Sequence, residues 1–201
     1  MQILSITVEN GDKVRCKYLR SSSYSPLVLF LVHRVNDSVQ NSIVNTLRGL
    51  HFNVLVMEAR STNRDLMNAV FCWSRLRSLN PYASKCFVIG VNDGAWVGMQ
   101  LLMRRPEFDR FIAINPPIKT SDFSFLAPCP CSGIIIDAPV SEGESLQCTS
   151  EVSKFVQKTS INSPIKLEHC KLSGGFSSDT PDVIAGVIRD YIVSSFNAIA
   201  S

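Results

Sequence analysis

Hydrophobic residues along the chain follow two alternating patterns, continuous apolar runs and apolar positions spaced three or four residues apart. A continuous run is typical of a parallel strand buried on both faces, and helical spacing is typical of a helix packed on a sheet. The predicted strands are Pro26–His33, Phe52–Met57, Cys86–Gly90, Phe111–Ile114, Gly133–Ile136 and Ile165–Leu172. The predicted helices are Val39–Leu50, Asp65–Leu79, Ala95–Arg105, Ser145–Lys158 and Pro181–Phe196. This alternation predicts βαβ units and a mostly parallel sheet.

Two short β-leaning segments, Gln2–Val8 and Val14–Arg20, precede the first long apolar run. Asn10 and Gly11 lie between them, and Asn-Gly between two such segments is a strong hairpin signal. We therefore expect a single α/β domain over residues 1–201, with a sheet of seven or eight strands entered through an antiparallel hairpin and helices on both faces. Ligands of such sheets bind beyond the carboxyl ends of the strands, so functional residues are expected in the loops there.

Composition and charge narrow the classes of function. Of the 201 residues 45% are hydrophobic and 18% are charged, and this charged fraction is below the roughly 25% of an average soluble protein. A well-buried chain, or one whose surface is partly covered by a partner, is therefore expected. The net charge of +3 gives no indication of a nucleic-acid partner. No apolar run reaches the ~18 residues of a membrane span, and the first residues do not have the pattern of a secretory signal.

Seven cysteines are present, and only Cys129 and Cys131 are close together in the sequence. Neither a disulfide framework nor the spacing of a zinc site is indicated, so free buried thiols in a reducing, intracellular compartment are expected, either bacterial cytoplasm or an organelle matrix such as the mitochondrial one. Cys129 and Cys131 could form a redox or metal pair, but Pro130 between them favours packing. The sequence contains no glycine-rich dinucleotide or nucleotide loop, and we predict neither cofactor nor metal.

A tight turn is predicted from Gly90 to Gly94, between a strand and a helix. It occupies the place of a G-x-S-x-G nucleophile elbow, where glycines let the strand and helix pack closely. The segments Cys86 to Pro106 and Asp122 to Pro130 resemble small, lidless, alphaproteobacterial-type members of the α/β-hydrolase superfamily. The resemblance extends over nearly the whole chain from Pro26 onward. It implies the α/β-hydrolase fold without a lid domain.

The resemblance also implies which positions correspond to the catalytic triad of the family. The nucleophilic serine corresponds to Asn92, whose amide cannot form an acyl-ester intermediate. The catalytic acid corresponds to Ser141 and the histidine base to Ser177. We therefore expect a catalytically degenerate member of the family, in which these are vestigial positions.

Two supporting loops depart from the family pattern as well. Asn36 and Asp37 stand where the family has a glycine pair whose backbone amides line an oxyanion hole. The segment Arg60 to Arg64 replaces a glycine-rich loop and is shorter. Together with the three triad positions, five active-site segments have diverged, while the strands and helices between them keep their patterns.

Two acidic residues are candidates to replace the missing catalytic groups. Asp93 could act as a nucleophile if the turn were shifted by one residue, but Gly90 and Gly94 place Asn92 at its apex. Asp137 could serve as an acid, although a carboxylate without a base and a nucleophile has nothing to orient.

The chain has three histidines, and their predicted places in the sheet differ. His33 ends a central strand at the edge where ligands bind, so it is the only histidine expected near the former pocket. The favoured interpretation is a hydrogen-bonded residue rather than a catalytic one. His51 precedes its strand and is expected at the opposite end of the sheet, and His169 lies within the last strand.

These observations lead to three hypotheses about function. The first is a non-catalytic pseudoenzyme that serves as a structural or binding subunit of a larger assembly and therefore has protein partners. The second is a weak or repurposed serine-hydrolase-type esterase or peptidase. The third is a small-ligand sensor that uses the vestigial pocket.

Overall fold

A computed structural model describes residues 1–60, 64–126, 129–140, 154–158 and 165–197 of the chain. Within these residues the strands are β1 (Gln2–Thr7), β2 (Lys13–Leu19), β3 (Leu27–Val32), β4 (Asn53–Glu58), β5 (Cys86–Val91), β6 (Arg110–Ile114), β7 (Ser132–Asp137) and β8 (Leu167–Lys171). The helices are α1 (Asp37–Gly49), α2 (Asp65–Leu79), α3 (Asp93–Leu102) and α4 (Thr180–Asn197), with a 3-10 turn at Ser124–Leu126.

All eight strands form one sheet in the order β1-β2-β4-β3-β5-β6-β7-β8. β1 and β2 are antiparallel, β2 pairs with β4 in the antiparallel sense, and the six strands from β4 to β8 in this order are parallel. Gly11 forms the hairpin turn with φ of +84°, a conformation that glycine adopts without a steric penalty. The predicted parallel-rich sheet with an entering hairpin is confirmed.

Alternate side chains of the sheet pack into two separate cores. Leu27, Leu29 and Leu31 of β3 lie in one core with residues of α2 and α3. Val28 and Phe30 of the same strand lie in the other core with residues of α1 and α4. Every residue of β3 is buried, as expected for a strand covered on both faces. Helices therefore cover both faces of the sheet, as predicted.

The helix that follows the elbow begins earlier and ends earlier than the predicted range Ala95–Arg105. α3 begins at Asp93, because the turn leads directly into the helix and the amide N–H of Ala95 already donates to the carbonyl of Asn92 at 2.9 Å. It ends at Leu102. The prediction differs at this end because the N–H groups of both Arg104 and Arg105 donate to the carbonyl of Leu101 at 3.0 Å, so the helix closes in a turn there.

Two predicted segments lie near the limits of the described residues. Residues 116–126 follow β6, where a lid domain would be inserted, and contain a single 3-10 turn. This segment packs on α3, since the indole N–H of Trp96 donates to the carbonyl oxygen of Asp122 at 3.2 Å. The predicted helix Ser145–Lys158 lies mostly outside the described residues, and residues 154–158 are helical.

Candidate active site

Asn92 lies at the apex of the turn between β5 and α3. Its backbone has φ of 54° and ψ of −124°, a combination that is sparsely populated by any residue with a Cβ and costs roughly 1–3 kcal/mol. The turn is fixed by neighbouring strands, because the amide N–H of Asn92 donates to the carbonyl of Ile114 at 2.9 Å. The chain thus has the strained strand-to-helix turn that the G-x-S-x-G pattern predicts.

The two glycines of the elbow are required by close backbone approach. A Cβ on Gly90 would come within 3.0 Å of backbone atoms of Gly94 and Ala95. A Cβ on Gly94 would come within 3.0 Å of the carbonyl group of Leu31 on β3. The turn therefore brings β5, α3 and β3 into direct backbone contact, which supports the assignment of Asn92 rather than Asp93 to the apex.

The side chain of Asn92 points towards the loop that follows β3. Its Nδ2 donates to the carbonyl oxygen of His33 at 3.0 Å and to that of Arg34 at 3.2 Å. Arg34 itself has φ of 45°, so the loop is turned back on itself at the point where Asn92 contacts it. The residue at the predicted position of the nucleophile therefore connects the elbow to the neighbouring loop.

His33 and Asp93 form a pair beside the elbow. The Nδ1 of His33 lies 3.3 Å from Oδ2 of Asp93, and the two side chains are 11% and 35% exposed. His33 is thus at the edge of the sheet where the sequence places it, next to the residue that follows the apex. The pair adds a second contact between the β3 loop and the start of α3.

Asn36 and Asp37, the positions of the predicted oxyanion loop, form the start of α1. The Oδ1 of Asn36 accepts from the backbone N–H of Ser38 at 2.9 Å, and Asn36 is the N-cap of the helix. The backbone N–H of Asn36 donates to the carbonyl oxygen of Val140 at 3.0 Å. Asp37 is an exposed residue of the first helical turn, where its negative charge is favourable.

Ser177, the position of the predicted base, lies just before α4. Its backbone N–H donates to the hydroxyl of Thr180 at 2.9 Å, and its own hydroxyl lies 3.0 Å from the same oxygen. Thr180 is the first residue of α4, so this contact is part of the helix start. Ser141, the position of the predicted acid, lies outside the described residues.

Asp137 and His169 form a contact that the sequence analysis missed. Asp137 ends β7 and is 1% exposed, and its Oδ2 lies 2.9 Å from Nε2 of His169 on β8. Because a carboxylate only accepts, Nε2 carries the hydrogen. The other carboxylate oxygen, Oδ1, is buried without a hydrogen-bond partner among the described residues.

The position of His169 in the sheet limits what this pair can do. His169 is opposite Ile135 in the register of β7 and β8, two residues before the last residue of β7. The imidazole is therefore carried by a residue within the sheet and not by the loop beyond the strand. His51 has φ of 58° and is exposed before β4, at the amino end of the sheet, as predicted.

A shallow cavity of about 260 Å³ adjoins the β3 loop. Arg34, Arg15 and Lys17 contribute positive charge to its lining, and Asp37 and Glu58 contribute negative charge.

Among the described residues no group of three or more His, Cys, Asp or Glu side chains is arranged to hold a metal ion. Nor does any helix in this part of the chain have the length and apolar character of a membrane-crossing segment.

Comparison of the chain with known proteins gives one curated relative and many solved structures. An uncharacterized protein of Rickettsia prowazekii is 36% identical over 125 residues, which are 59% of this chain and 51% of that protein. The chain thus matches about half the length of this relative. No protein-family model matches the chain.

Three solved structures show how the fold compares. A protein of unknown function from Agrobacterium tumefaciens, described as a candidate α/β hydrolase, is 29% identical with a TM-score of 0.82, covering 98% of this chain and 97% of that one. An esterase of Pyrococcus furiosus is 16% identical with a TM-score of 0.74, covering 96% and 90%. The protein Est1E of Butyrivibrio proteoclasticus is 11% identical with a TM-score of 0.74, covering 98% and 100%. The last two likenesses concern the fold alone.

Proposed function

We propose that this chain, which has the α/β-hydrolase fold and resembles alphaproteobacterial proteins of that superfamily, is a non-catalytic member that serves as a structural or binding subunit. The observation that carries the proposal is the direction of the Asn92 amide. Its Nδ2 donates to the carbonyl oxygens of His33 and Arg34. The side chain at the nucleophile position is therefore engaged in holding two loops together.

The same two carbonyls are unfavourable for hydrolysis. Acyl transfer on this fold requires N–H donors aimed at the oxygen that becomes negative in the transition state. Beside residue 92 the β3 loop instead directs the oxygen atoms of His33 and Arg34 inward, at 3.0 and 3.2 Å from the Asn92 nitrogen. Negative charge that developed there would face the negative ends of two carbonyl dipoles, so the barrier would be raised rather than lowered.

Two other positions of the family's machinery have structural roles in this chain. Asn36 caps α1 through its side chain, and a cap of this kind is worth about 1 kcal/mol. Ser177 contacts Thr180 at the start of α4. Asn92, Asn36 and Ser177, three positions that depart from the family pattern, therefore each have a hydrogen bond within the fold, which supports the proposal that the fold persists without the triad.

The proposal predicts that the native chain does not hydrolyse esters. Purified protein should not be labelled by a fluorophosphonate probe, and it should turn over activated esters no faster than a heat-denatured control. An active serine hydrolase labelled under the same conditions serves as the positive control. Stoichiometric labelling of one serine that is abolished when that serine alone is replaced would contradict the proposal.

The subunit role is tested by native mass spectrometry of the protein isolated from its own cells under non-denaturing conditions. The expected spectrum contains a reproducible complex of this chain with a protein of defined mass and stoichiometry. A spectrum with the 22.3 kDa chain alone, at every concentration, would contradict a role as a subunit.

A second candidate function, sensing of a small ligand, is supported by the cavity beside the β3 loop. It is lined by Arg15, Lys17 and Arg34 as well as by Asp37 and Glu58, and has a volume of about 260 Å³, close to the lower end of small-molecule sites. A thermal-shift titration with small carboxylates and phosphates tests it. A saturable rise in Tm that is absent in Arg34→Ala would favour the sensor, and no rise at millimolar concentrations would exclude these ligands.

A further inference from the structure

Two cysteines that are far apart in the sequence meet inside one core. Cys16 lies on β2 and Cys72 lies on α2, and their sulfur atoms are 3.5 Å apart. Both side chains are buried, at 2% and 0% exposure. Because β2 belongs to the entering hairpin and α2 covers the sheet, a bond between the two sulfurs would add a covalent link to the hydrogen bond that the Tyr18 hydroxyl of β2 donates to Asn80 at the end of α2.

From this geometry we infer that Cys16 and Cys72 form a redox modification site, a thiol pair that a peroxide converts into an intramolecular disulfide. The sulfurs must approach from 3.5 Å to the about 2.05 Å of a disulfide bond. The movement needed is shared by a strand side chain and a helix side chain.

Access for a small oxidant is provided by a cavity of about 630 Å³ next to the hairpin. Cys16 contributes to its wall, which combines apolar residues with charged ones that include Lys13, Arg15, Arg60 and Arg64. A cavity of this size with charged lining residues admits hydrogen peroxide and water. Cys72 lies behind Cys16, so the reaction is expected to begin at Cys16.

The protonation behaviour of the pair is consistent with this order. The hydrogen bond with Cys72 holds the pKa of the Cys16 thiol below its usual range and outweighs the opposing effect of burial. The same contact, together with burial, raises the pKa of Cys72. Burial raises the pKa of Cys86 to about 11 and that of Cys131 to about 12. Since the thiolate is the nucleophile, Cys16 is favoured over these two as the first site of oxidation.

The reaction balances with peroxide as the sole oxidant. The Cys16 thiolate attacks one oxygen of hydrogen peroxide, the O–O bond breaks, and Cys16 sulfenic acid and hydroxide form. The Cys72 sulfur then attacks the Cys16 sulfur, the S–O bond breaks, and water leaves with the proton of Cys72. The hydroxide takes up the proton that Cys16 released on forming its thiolate, so two thiols lose two electrons in total and one peroxide is reduced to two water molecules.

The experiment compares the reduced, purified chain before and after treatment with hydrogen peroxide. We expect the intact mass to fall by about 2 Da and non-reducing peptide mapping to recover one crosslinked peptide pair that contains Cys16 and Cys72. The disulfide closes a span of 56 residues, so Tm should rise by roughly 5–10 °C and return when dithiothreitol is added.

Variants distinguish this pair from the other cysteines. Cys16→Ser should prevent both the mass loss and the rise in Tm, whereas Cys129→Ser, which alters the pair that is close in sequence, should leave both unchanged. Mapping of the unaltered chain does not depend on the folding of either variant. The inference is overturned by no mass loss, by a crosslink between other cysteines, or by a gain of oxygen at Cys16 without a crosslink.

Discussion

The carboxylate of Asp137 and the imidazole of His169 lie 2.9 Å apart on neighbouring parallel strands, with the carboxylate 1% exposed. The imidazole is the hydrogen-bond partner of this buried group among the described residues. Removing one member of a buried pair leaves the other without compensation, which is more costly than removing both.

A double-mutant cycle measures this pair. We expect His169→Ala to lower the free energy of unfolding by about 2–4 kcal/mol, because it leaves the Asp137 carboxylate buried without that partner. Asp137→Ala should lower the free energy of unfolding less in the His169→Ala variant than in the parent chain. The coupling energy between the two positions should be at least about 1 kcal/mol. Urea unfolding of the four proteins at pH 7 provides the values. Strictly additive effects would mean that the contact does not stabilise the fold.

The elbow glycines provide a test with a control in the same chain. Gly90→Ala and Gly94→Ala should each lower the free energy of unfolding by at least about 3 kcal/mol, because the added Cβ would meet backbone atoms that cannot move independently. Gly186→Ala is the control, since a Cβ there meets no atom within 4 Å. In the helix α4 it should be neutral or stabilising by up to about 1 kcal/mol. Equal effects at all three positions would contradict the described elbow.

The hydrogen bonds of Asn92 make a prediction about its isosteric replacement. In Asn92→Asp a carboxylate oxygen takes the place of the amide nitrogen and faces the carbonyl oxygens of His33 and Arg34. We expect Asn92→Asp to be less stable than Asn92→Ala at pH 7, although alanine removes more atoms. Loss of the two hydrogen bonds alone should cost about 1–3 kcal/mol. Chemical denaturation of both variants and the parent decides the order, and an Asp variant as stable as the parent would show that the amide is not a donor.

Restoring a hydroxyl at the elbow tests the proposed loss of catalysis separately. Asn92→Ser should hydrolyse an activated ester at the background rate. A serine is an effective nucleophile only together with a positioned base and oxyanion donors, and neither is expected beside residue 92. A rate roughly a hundredfold above the parent would indicate a hidden base, since general-base catalysis contributes factors of this size. Combining Asn92→Ser with His33→Ala, and separately with His169→Ala, would identify it.

Stability should fall in alkaline solution. Burial raises the pKa of Cys86 to about 11 and that of Cys131 to about 12, whereas an unfolded chain releases these protons near pH 8.5. Above that pH the unfolded chain binds fewer protons than the native one. The contribution of these two thiols to the free energy of unfolding is therefore complete below the pKa of the unfolded chain and is lost as the pH rises towards their pKa values in the folded chain. Urea midpoints under reducing conditions should be lower at pH 10 than at pH 8. Cys86→Ala should show a smaller decrease, and an unchanged midpoint in the parent would contradict the prediction.

Local patterns were sufficient for the parts of the fold that depend on neighbouring residues. Asn10 and Gly11 indicate the hairpin turn, and the spacing of Gly90 and Gly94 indicates the elbow with Asn92 at its apex. Both depend on steric limits of the backbone within a few residues, and such limits are evident in the sequence.

Contacts between distant segments could not be predicted in this way. The pairing of Cys16 with Cys72 depends on how α2 is rotated on the sheet. The contact of Asp137 with His169 depends on the register of β7 and β8, and a shift of one residue would turn His169 to the other face. The sequence contained a weak signal, an aspartate directly after a predicted strand and a histidine in the next one. The direction of the Asn92 amide likewise depends on the conformation of the loop after β3.

The two hydrogen bonds from Asn92 to the β3 loop also have an evolutionary consequence. A substitution that placed a serine at the apex would remove both bonds at once, and under the proposed non-catalytic function no hydrolysis would compensate until a base and oxyanion donors were also present. Because most proteins are only slightly more stable than their function requires, a lineage taking this first step would lose stability and gain no rate. Under the proposed non-catalytic function, selection for folding alone therefore opposes this step, and such a chain tends to keep Asn92 at the elbow.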